Sequence, residues 1–385
     1  MRRGILADSS MLRGEPPLEY LAKANQLERQ GKEMVRFEIG QPDFDTPEHV
    51  KEAAIKALNE GFTHYVPSDG IPELKEAIQE DIEESRGFKP TLDQILVLPG
   101  AKPGLYFSLI STIQKGDEVI YQNPCFFTFD SMVGYMGAKK VQVPLYEENE
   151  FRMTPDEIQE RITDDTRMII INSPQNPTGA VLTKNDIKEI AEMAKDEDIY
   201  ILSDEIYSKM YYDGLEHNSP SYWDECNERT IIIDGFSKAY SMTGWRVGYS
   251  AAPKDLMKPI RKAHDYTTVC SPTPFQKAAV SAIDLPEEYY KDMVEYYRKG
   301  RDLVYKELKK SKMKPSLPNG AYYMMADISE YDMNDKEFAD YLVEKKQVAV
   351  VPGTSFYKEG GEDLVRFCFS QQFEDLKEAM KRIIE

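Results

Sequence analysis

Short runs of β-branched and other apolar residues alternate along this chain with segments of helical pattern, and this alternation limits the fold more than any other feature. The runs lie at 94–98, 117–121, 167–171, 199–204, 229–234 and 246–252. They are mostly continuous stretches of apolar residues, which is typical of parallel strands covered on both faces. The pattern therefore predicts an α/β fold, with a mostly parallel sheet wrapped by helices.

Two of the helices between these runs begin with recognisable capping sequences. The stretch TPDE at 154–157 places threonine at the N-cap, proline in the first turn and glutamate at the third position. The stretch TKND at 183–186 opens a helix whose residues Ile187, Ile190 and Ala194 share one face. We expect helices to begin at both stretches.

The pattern changes near Pro286, where a long charged helix is followed by three short strand-like runs. That arrangement is α+β in character, and 385 residues exceed the size at which one core usually stops growing. We expect a large domain at 46–284. Residues 1–45 together with 285–385 are predicted to form a smaller α+β domain.

Charge and composition exclude several classes of protein. The formal net charge of −19 argues against a nucleic-acid surface, which needs clustered lysine and arginine. Residues 1–15 hold too few apolar residues for a signal peptide, and no run approaches the roughly 18 apolar residues of a membrane span. We therefore expect a soluble cytoplasmic protein. Reduced thiols are expected at the four dispersed cysteines, Cys125, Cys226, Cys270 and Cys368.

Familiar phosphate, metal and nucleophile motifs are absent from the sequence, and its four scattered histidines disfavour a metal site. What remains is a set of polar residues at strand ends, where ligands bind in open α/β sheets. In LPGAKPGL the amides of Gly100, Ala101 and Lys102 open a helix and point outward, as in an anion site. A tight strand-to-helix turn would also explain the glycine. Lys102 opposes the helix dipole, which favours a bound anion.

Four further residues follow strands or lie on them. Asn176, in NSPQNPTG, follows a strand between two X-Pro bonds, although a plain loop asparagine explains the stretch equally well. Asp204 ends a buried strand and can hold a protonated ring nitrogen, with Tyr207 near the same ring; a surface-turn aspartate is the usual case. Arg366 needs a carboxylate, from the protein or from a ligand, and alone is better explained as structural.

Taken together, these stretches resemble the class I aminotransferase family of pyridoxal-phosphate enzymes, in particular the branch with prokaryotic aspartate and aromatic amino acid aminotransferases. The resemblance implies the fold type I architecture, with a seven-stranded sheet in the large domain, and an active homodimer. It runs in family order through GQPDFDTP, THYVPSDGIPELKEAI, PGAK, NSPQNPTGAV, SDEIY, GFSKAYSMTGWRVGY, VPGTSF and VRFCFS.

The resemblance also implies how the cofactor, pyridoxal 5′-phosphate, is held. Lys238 is similar to the lysine that links covalently to it and later carries the proton between the substrate Cα and the cofactor. Arg246 resembles the arginine of the phosphate cradle, to which Ala101 and Lys102 contribute amides. Tyr65 is similar to the tyrosine that reaches the phosphate of the neighbouring subunit.

The remaining matched positions concern the cofactor ring and the substrate. Asp204 would pair with the ring nitrogen, while Asn176 and Tyr207 would hold the ring oxygen O3′. Arg366 would clamp the substrate α-carboxylate, in a pocket lined by Gly40.

Three positions depart from the common pattern of relatives and concern cofactor affinity and substrate range. Phe126 replaces a tyrosine or tryptophan over the ring, Gly235 replaces a phosphate-binding serine, and Tyr357 is expected to narrow the substrate entrance.

The implied reaction is ping-pong transamination with 2-oxoglutarate as amino acceptor. L-aspartate is the favoured donor, because Lys102 matches a lysine of aspartate-using relatives; a solvated lysine beside the phosphate is the alternative. Aromatic amino acids or alanine are alternative donors, and Tyr20, Phe37 and Tyr323 are candidates to line an aromatic pocket. A pyridoxal-phosphate lyase is the second alternative. A non-catalytic regulator should lack Lys238, and the missing glycine fingerprint disfavours a nicotinamide dehydrogenase.

Overall fold

The computed structural model describes residues 16–225 and 227–384. Residues 1–15, the segment assessed for a signal peptide, lie outside the described residues, as does Cys226. The other three cysteines, Cys125, Cys270 and Cys368, are free thiols. Within the described ranges, no helix combines the length and the apolar character needed to cross a membrane. The cytoplasmic location stays a prediction.

Strands form one large and two smaller sheets in the described part of the chain. In chain order they are β1 (Val35–Arg36), β2 (Ile95–Leu98), β3 (Glu118–Asn123), β4 (Lys139–Pro144), β5 (Thr166–Asn172), β6 (Tyr200–Asp204), β7 (Thr230–Gly235), β8 (Gly248–Ala251), β9 (Lys314–Pro315), β10 (Tyr323–Asp327), β11 (Val348–Ala349), β12 (Val351–Pro352) and β13 (Leu364–Cys368).

Helices flank these strands along the whole described chain. In chain order they are α1 (Pro16–Arg29), α2 (Glu48–Asn59), α3 (Pro72–Arg86), α4 (Ala101–Thr112), α5 (Phe127–Tyr135), α6 (Pro155–Gln159), α7 (Lys184–Asp196), α8 (Ser221–Asp224), α9 (Lys254–Thr268), α10 (Thr273–Ile283), α11 (Glu287–Leu308), α12 (Asp335–Tyr341) and α13 (Phe373–Ile384).

The large sheet has seven strands in the order β2-β8-β7-β6-β5-β3-β4. Strands β3 to β7 pair in parallel, and β8 runs antiparallel to both of its neighbours. The mostly parallel seven-stranded α/β sheet expected from the resemblance is therefore confirmed. Fully buried residues such as Ile170 and Leu202 explain why these strands read as continuous apolar runs.

Two details of the large sheet differ from the sequence prediction. Strand β4 was not among the predicted runs, because its KKVQVP sequence lies at the sheet edge and buries only Val143 fully. The predicted run at 246–252 begins too early, since Arg246 has φ of 55° and β8 starts only at Gly248. A left-handed residue interrupts extended backbone.

Both capped helices begin where the sequence placed them. At α7, the Thr183 side chain accepts from the Asp186 amide at 3.1 Å, and Asp186 accepts from the Thr183 amide at 2.8 Å. At α6, the amide and the hydroxyl of Thr154 both donate to Glu157 Oε2, at 3.2 and 2.7 Å. Caps of this kind stabilise a helix by about 1 kcal/mol.

The N-terminal segment packs against the C-terminal part of the chain. Strand β1 pairs with β11, with Val35 opposite Val348, and Tyr20 and Phe37 belong to the same apolar cluster as Phe367. A four-stranded antiparallel sheet in the order β12-β13-β10-β9 completes this region. The domain boundaries at 46–284 and at 1–45 with 285–385 stay a prediction.

Candidate active site

A cavity opens at the carboxyl ends of β5 and β6, between the large sheet and strand β13. The predicted site residues that line it are Gly40, Ala101, Lys102, Phe126, Asn176, Asp204, Tyr207, Lys238, Arg246 and Arg366. Gly100 lies directly before this lining, at the N-cap of α4. Residues scattered over more than 300 sequence positions therefore meet at one place.

Lys238 follows β7 and extends its side chain into the cavity. Its Nζ donates to the carbonyl oxygen of Gly40 at 2.6 Å. Burial lowers the pKa of Lys238 to about 8, and the nearby cations Arg366 and Arg246 act in the same direction. An amine with this pKa is partly neutral near physiological pH, and the neutral amine is the form that attacks a carbonyl.

Asp204 ends β6 and is 5% exposed. The pKa of Asp204 is raised to about 7, chiefly by burial and also by the carboxylates of Asp234 and Glu205, against a weak hydrogen bond from the Ile206 amide at 3.4 Å. Among the described residues no cation forms an ion pair with Asp204. A buried carboxylate without a cationic partner suits a protonated ring nitrogen.

An anion cradle lies where β2 leads into α4. Gly100 has φ of 93°, and a Cβ there would overlap the guanidinium of Arg246. Arg246 Nη1 donates to the Thr243 carbonyl at 2.8 Å, no described carboxylate pairs with it, and partial burial lowers its pKa. Backbone amides at a helix N-terminus beside such a guanidinium are suited to an anion such as a phosphate group.

Arg366 occupies the middle of β13 and is 2% exposed. Its Nη1 donates to Asn176 Oδ1 at 2.9 Å and its Nη2 to the Glu38 carbonyl at 2.8 Å. The guanidinium lies 4.5 Å from the ring centre of Tyr323 and 4.7 Å from that of Phe356. Its Nε is buried and has no hydrogen-bond partner, and no described carboxylate pairs with the side chain. These observations favour a ligand carboxylate as its partner.

Two residues of the site were missed or left open by the sequence. Asn172 ends β5 opposite Asp204, donates to the Asp204 carbonyl at 3.1 Å, and accepts from the Asn176 amide at 2.9 Å. Its position at a strand end, within NSPQNPTG, was the available signal. Tyr323 is a cavity residue whose hydroxyl lies 2.7 Å from that of Tyr207. Tyr20 and Phe37 do not line the cavity and belong to the core instead.

The three departures from the common pattern have different structural outcomes. Phe126 lines the cavity, and its ring centre lies 5.3 Å from Lys102 Nζ. A Cβ at Gly235 would come within 2.7 Å of the Gly248 Cα, so close strand packing requires glycine there. Tyr357 does not line the cavity, because its ring lies against Gly361. The narrowing of the substrate entrance by Tyr357 stays a prediction.

Tyr65, predicted to reach the phosphate of a neighbouring subunit, lies away from the cavity. Its side chain is 84% exposed, and within a single described chain it does not contribute to the cavity lining. A role for Tyr65 in the site requires a second subunit.

Comparison with known proteins identifies the family. The sequence model of the family "Aminotransferase class I and II" matches residues 32–383. The chain belongs to this family. It is accordingly a pyridoxal-phosphate-dependent aminotransferase, and its substrates are small molecules of the amino acid class. The phosphate cradle, Lys238 and the unpaired carboxylate of Asp204 fit that cofactor.

Relatives of this aminotransferase carry different substrate names at similar identity. An aspartate aminotransferase of Pyrococcus abyssi is 40% identical over 91% of both chains. An aromatic-amino-acid aminotransferase of Thermococcus litoralis is also 40% identical, over 91% of this chain and 90% of the relative. The solved aspartate aminotransferase of Thermus thermophilus with maleate is 36% identical, covers 99% of both chains and has a TM-score of 0.93. Identity alone therefore does not select the substrate.

Proposed function

We propose that this aminotransferase moves the amino group of L-aspartate to 2-oxoglutarate by a ping-pong mechanism. The observation that carries the proposal is the guanidinium of Arg366, which is buried, has a free Nε and faces the cavity that also holds Lys238. A guanidinium in this state binds a carboxylate through two parallel hydrogen bonds. Amino acids and 2-oxo acids both carry the α-carboxylate that would occupy it.

Each residue of the cavity then has a part in the reaction. The bound cofactor supplies an electron sink for the carbanion formed at the substrate Cα. Asp204 holds the proton on the ring nitrogen, and the amides of Ala101 and Lys102 bind the phosphate together with Arg246. Lys238 would hold the cofactor covalently and, as a free amine, would carry a proton to and from the substrate Cα. A lysine with its pKa near 8 is suited to that proton transfer.

Tyr207 and Asn176 orient the cofactor ring through its O3′ oxygen. Hydrogen bonds to other residues fix both positions: Tyr207 contacts the Tyr323 hydroxyl, and Asn176 contacts Asn172 and Arg366. Gly40 lines the same pocket. A Cβ at that position would overlap the Tyr323 phenol, so a larger residue does not fit there. Hydrogen bonds thus connect Arg366, Asn176 and Asn172, and the Tyr207–Tyr323 pair adjoins them where the Arg366 guanidinium lies 4.5 Å from the Tyr323 ring centre.

The aspartate preference depends on Lys102. Its ammonium lies at the cavity wall, above the rings of Phe126 and Phe127 at 5.3 Å each. A cation there can meet the side-chain carboxylate of aspartate, and the Thermus thermophilus relative was solved with maleate, which is also a dicarboxylate. The two phenylalanine rings favour aromatic donors as the alternative, as the name of the Thermococcus litoralis relative indicates. A lyase would need no oxo acid.

Replacing Lys102 by alanine is expected to lower kcat/KM for aspartate about fivefold while changing the value for phenylalanine little, because one partly screened charge pair contributes about 1 kcal/mol. The measurement is a donor screen with 2-oxoglutarate, comparing aspartate, tyrosine, phenylalanine and alanine. Lys336→Ala, at an exposed position on α12, is the control. Equal losses for aspartate and phenylalanine would reject the acidic preference, and turnover without any oxo acid would favour a lyase.

Tyr65 and Lys238 are expected to complement each other across a homodimer. In a hybrid of one Tyr65→Phe subunit and one Lys238→Ala subunit, the site with an intact lysine receives the partner's intact tyrosine. That site should bind the cofactor as tightly as the wild-type protein, whereas the Tyr65→Phe homodimer should bind it about tenfold more weakly, because a phosphate hydrogen bond contributes roughly 1.5 kcal/mol. Equal weakening in hybrid and homodimer would place Tyr65 outside the partner's site.

A further inference from the structure

A group of buried charges lies beside Asp204 but outside the cavity. Arg86, the last residue of α3, is 3% exposed. Its Nε donates to Glu205 Oε2 at 2.7 Å and its Nη2 to Asp234 Oδ2 at 2.6 Å. None of these three residues is among those that line the cavity. The proposed function gives these three residues no part in catalysis, although burying such charges is costly.

Both carboxylates lie next to Asp204 in the fold. Glu205 follows it in the chain, and its amide continues the β6 pairing by donating to the Ile233 carbonyl at 2.8 Å. Asp234 follows Ile233, which is the β7 residue paired with Asp204. Neighbouring residues of an extended segment point to opposite faces of a sheet. Asp204 therefore faces the cavity, whereas Glu205 faces Arg86.

Charge decides what this arrangement does to Asp204. Each of the two carboxylates opposes ionisation of Asp204, in addition to its burial. A protonated Asp204 would be a neutral hydrogen-bond donor, which cannot balance a protonated ring nitrogen. Arg86 opposes the two carboxylates with a guanidinium that stays charged at every accessible pH. Together with His217 it holds the pKa of Glu205 at about 2 in spite of burial.

We propose that Arg86 is a positioning residue for the cofactor: it neutralises Glu205 and Asp234 behind the end of β6, and thereby keeps the Asp204 carboxylate ionised toward the ring nitrogen. The inference rests on the proposed function, specifically on the part given there to Asp204. The shape of the guanidinium matters as well as its charge, because its fork reaches two carboxylates on different strands at once.

Other titratable groups face this cluster from the elements around it. His217 Nε2 lies 2.9 Å from Glu205 Oε2, and its Nδ1 lies 2.7 Å from the Tyr211 hydroxyl. On the α3 side, Asp81 is 3.7 Å from Arg86 and is paired with Lys209 at 2.8 Å. The Tyr249 hydroxyl donates to Asp234 at 3.4 Å, and Lys238 faces Asp204 from the cavity and favours its ionised form. The substitutions that test the proposal leave all of these surrounding groups unchanged.

The test measures the dissociation constant of pyridoxamine 5′-phosphate from pH 5.5 to pH 9. This amine form of the cofactor binds without a covalent link to Lys238, so the affinity reports Asp204 rather than attachment. For the wild-type protein we expect the affinity to fall as the pH drops through about 7, where Asp204 takes up a proton. Arg86→Met should move this midpoint to higher pH by about one unit, which is about a fivefold loss of affinity at pH 7.

Glu205→Gln should move the midpoint in the opposite direction, to lower pH, because it removes a negative charge and leaves Arg86 in place. Arg86→Lys retains the charge but not the fork, so its midpoint should lie between those of the wild-type protein and Arg86→Met. Opposite shifts in the two charge variants support the proposal, and a purely structural part for Arg86 would weaken binding equally at every pH. If Arg86→Met does not fold, the direction of the Glu205→Gln shift decides alone. An unchanged midpoint in the folded variants overturns the inference.

Two controls separate this inference from the proposed function. Arg301→Met removes another buried arginine, which is paired with Asp213 at 2.7 Å, and should leave the midpoint unchanged. Asp204→Asn should abolish the pH dependence near 7. If Asp204→Asn retains the wild-type profile, the part given to Asp204 is wrong; if Asp204→Asn abolishes it but Arg86→Met and Glu205→Gln leave it in place, only the inference about Arg86 is wrong.

Discussion

Replacing Lys238 by alanine is expected to lower kcat by about 10⁴-fold or more, the upper end of what one acid–base group contributes. Under the proposed function, the substitution removes the amine that would attach the cofactor and the base that would move the substrate proton. Single-turnover transfer from aspartate, followed by absorbance, measures the loss. Borohydride treatment of the wild-type protein should fix the cofactor on the peptide that contains residue 238, and an adduct on another peptide would contradict the assignment.

Lys238→Arg is the matched control for charge, because it keeps a cation beside the Gly40 carbonyl but offers no neutral amine. It should be as inactive as Lys238→Ala.

Comparison with Lys238→Met measures how the buried amine of Lys238 changes the stability of the fold with pH. The pKa of the folded lysine, about 8, lies below its ordinary value of 10.5, so the unfolded chain binds more protons between these limits. The melting temperature of the cofactor-free wild-type protein should therefore rise relative to Lys238→Met between pH 8 and pH 10.5, and a fall would contradict the buried amine.

Replacing Arg366 by glutamine is expected to lower kcat/KM by about 10²- to 10⁴-fold for every amino donor, because two charge-assisted hydrogen bonds contribute about 3–6 kcal/mol together. All donors share the α-carboxylate, so the loss should not depend on the side chain. Steady-state kinetics with aspartate, phenylalanine and alanine measure it. Donor-specific losses would show that Arg366 binds a side chain instead.

Arg301→Gln is the matched control for Arg366→Gln. Arg301 is similarly buried and stacks on the ring of Tyr212 at 4.8 Å, but Asp213 already pairs with it at 2.7 Å. We expect its replacement to lower the melting temperature while leaving the KM for amino donors unchanged. A comparable loss of kcat/KM in both variants would attribute the effect of Arg366→Gln to general destabilisation of the fold.

The sequence by itself determined the fold class and most of the site. Continuous apolar runs at the buried strands predicted the parallel sheet, because a strand covered on both faces has no solvent side on which to place polar residues. Polar residues at the ends of those runs, such as Asp204, predicted the edge of the sheet at which the cavity opens. The resemblance then added Lys238 and Arg246, and both line the cavity.

What only the tertiary structure decided are the relations between residues distant in sequence. The edge strand β4 lacked the apolar signal of the buried strands, and the antiparallel direction of β8 is set by pairing rather than by composition. The guanidinium of Arg86 meets Glu205 and Asp234 over 119 and 148 sequence positions. Local sequence records whether a residue is buried, since burial restricts the residue type at that position. Which charge lies against which depends on the packing of separate elements, and so only the folded chain establishes it.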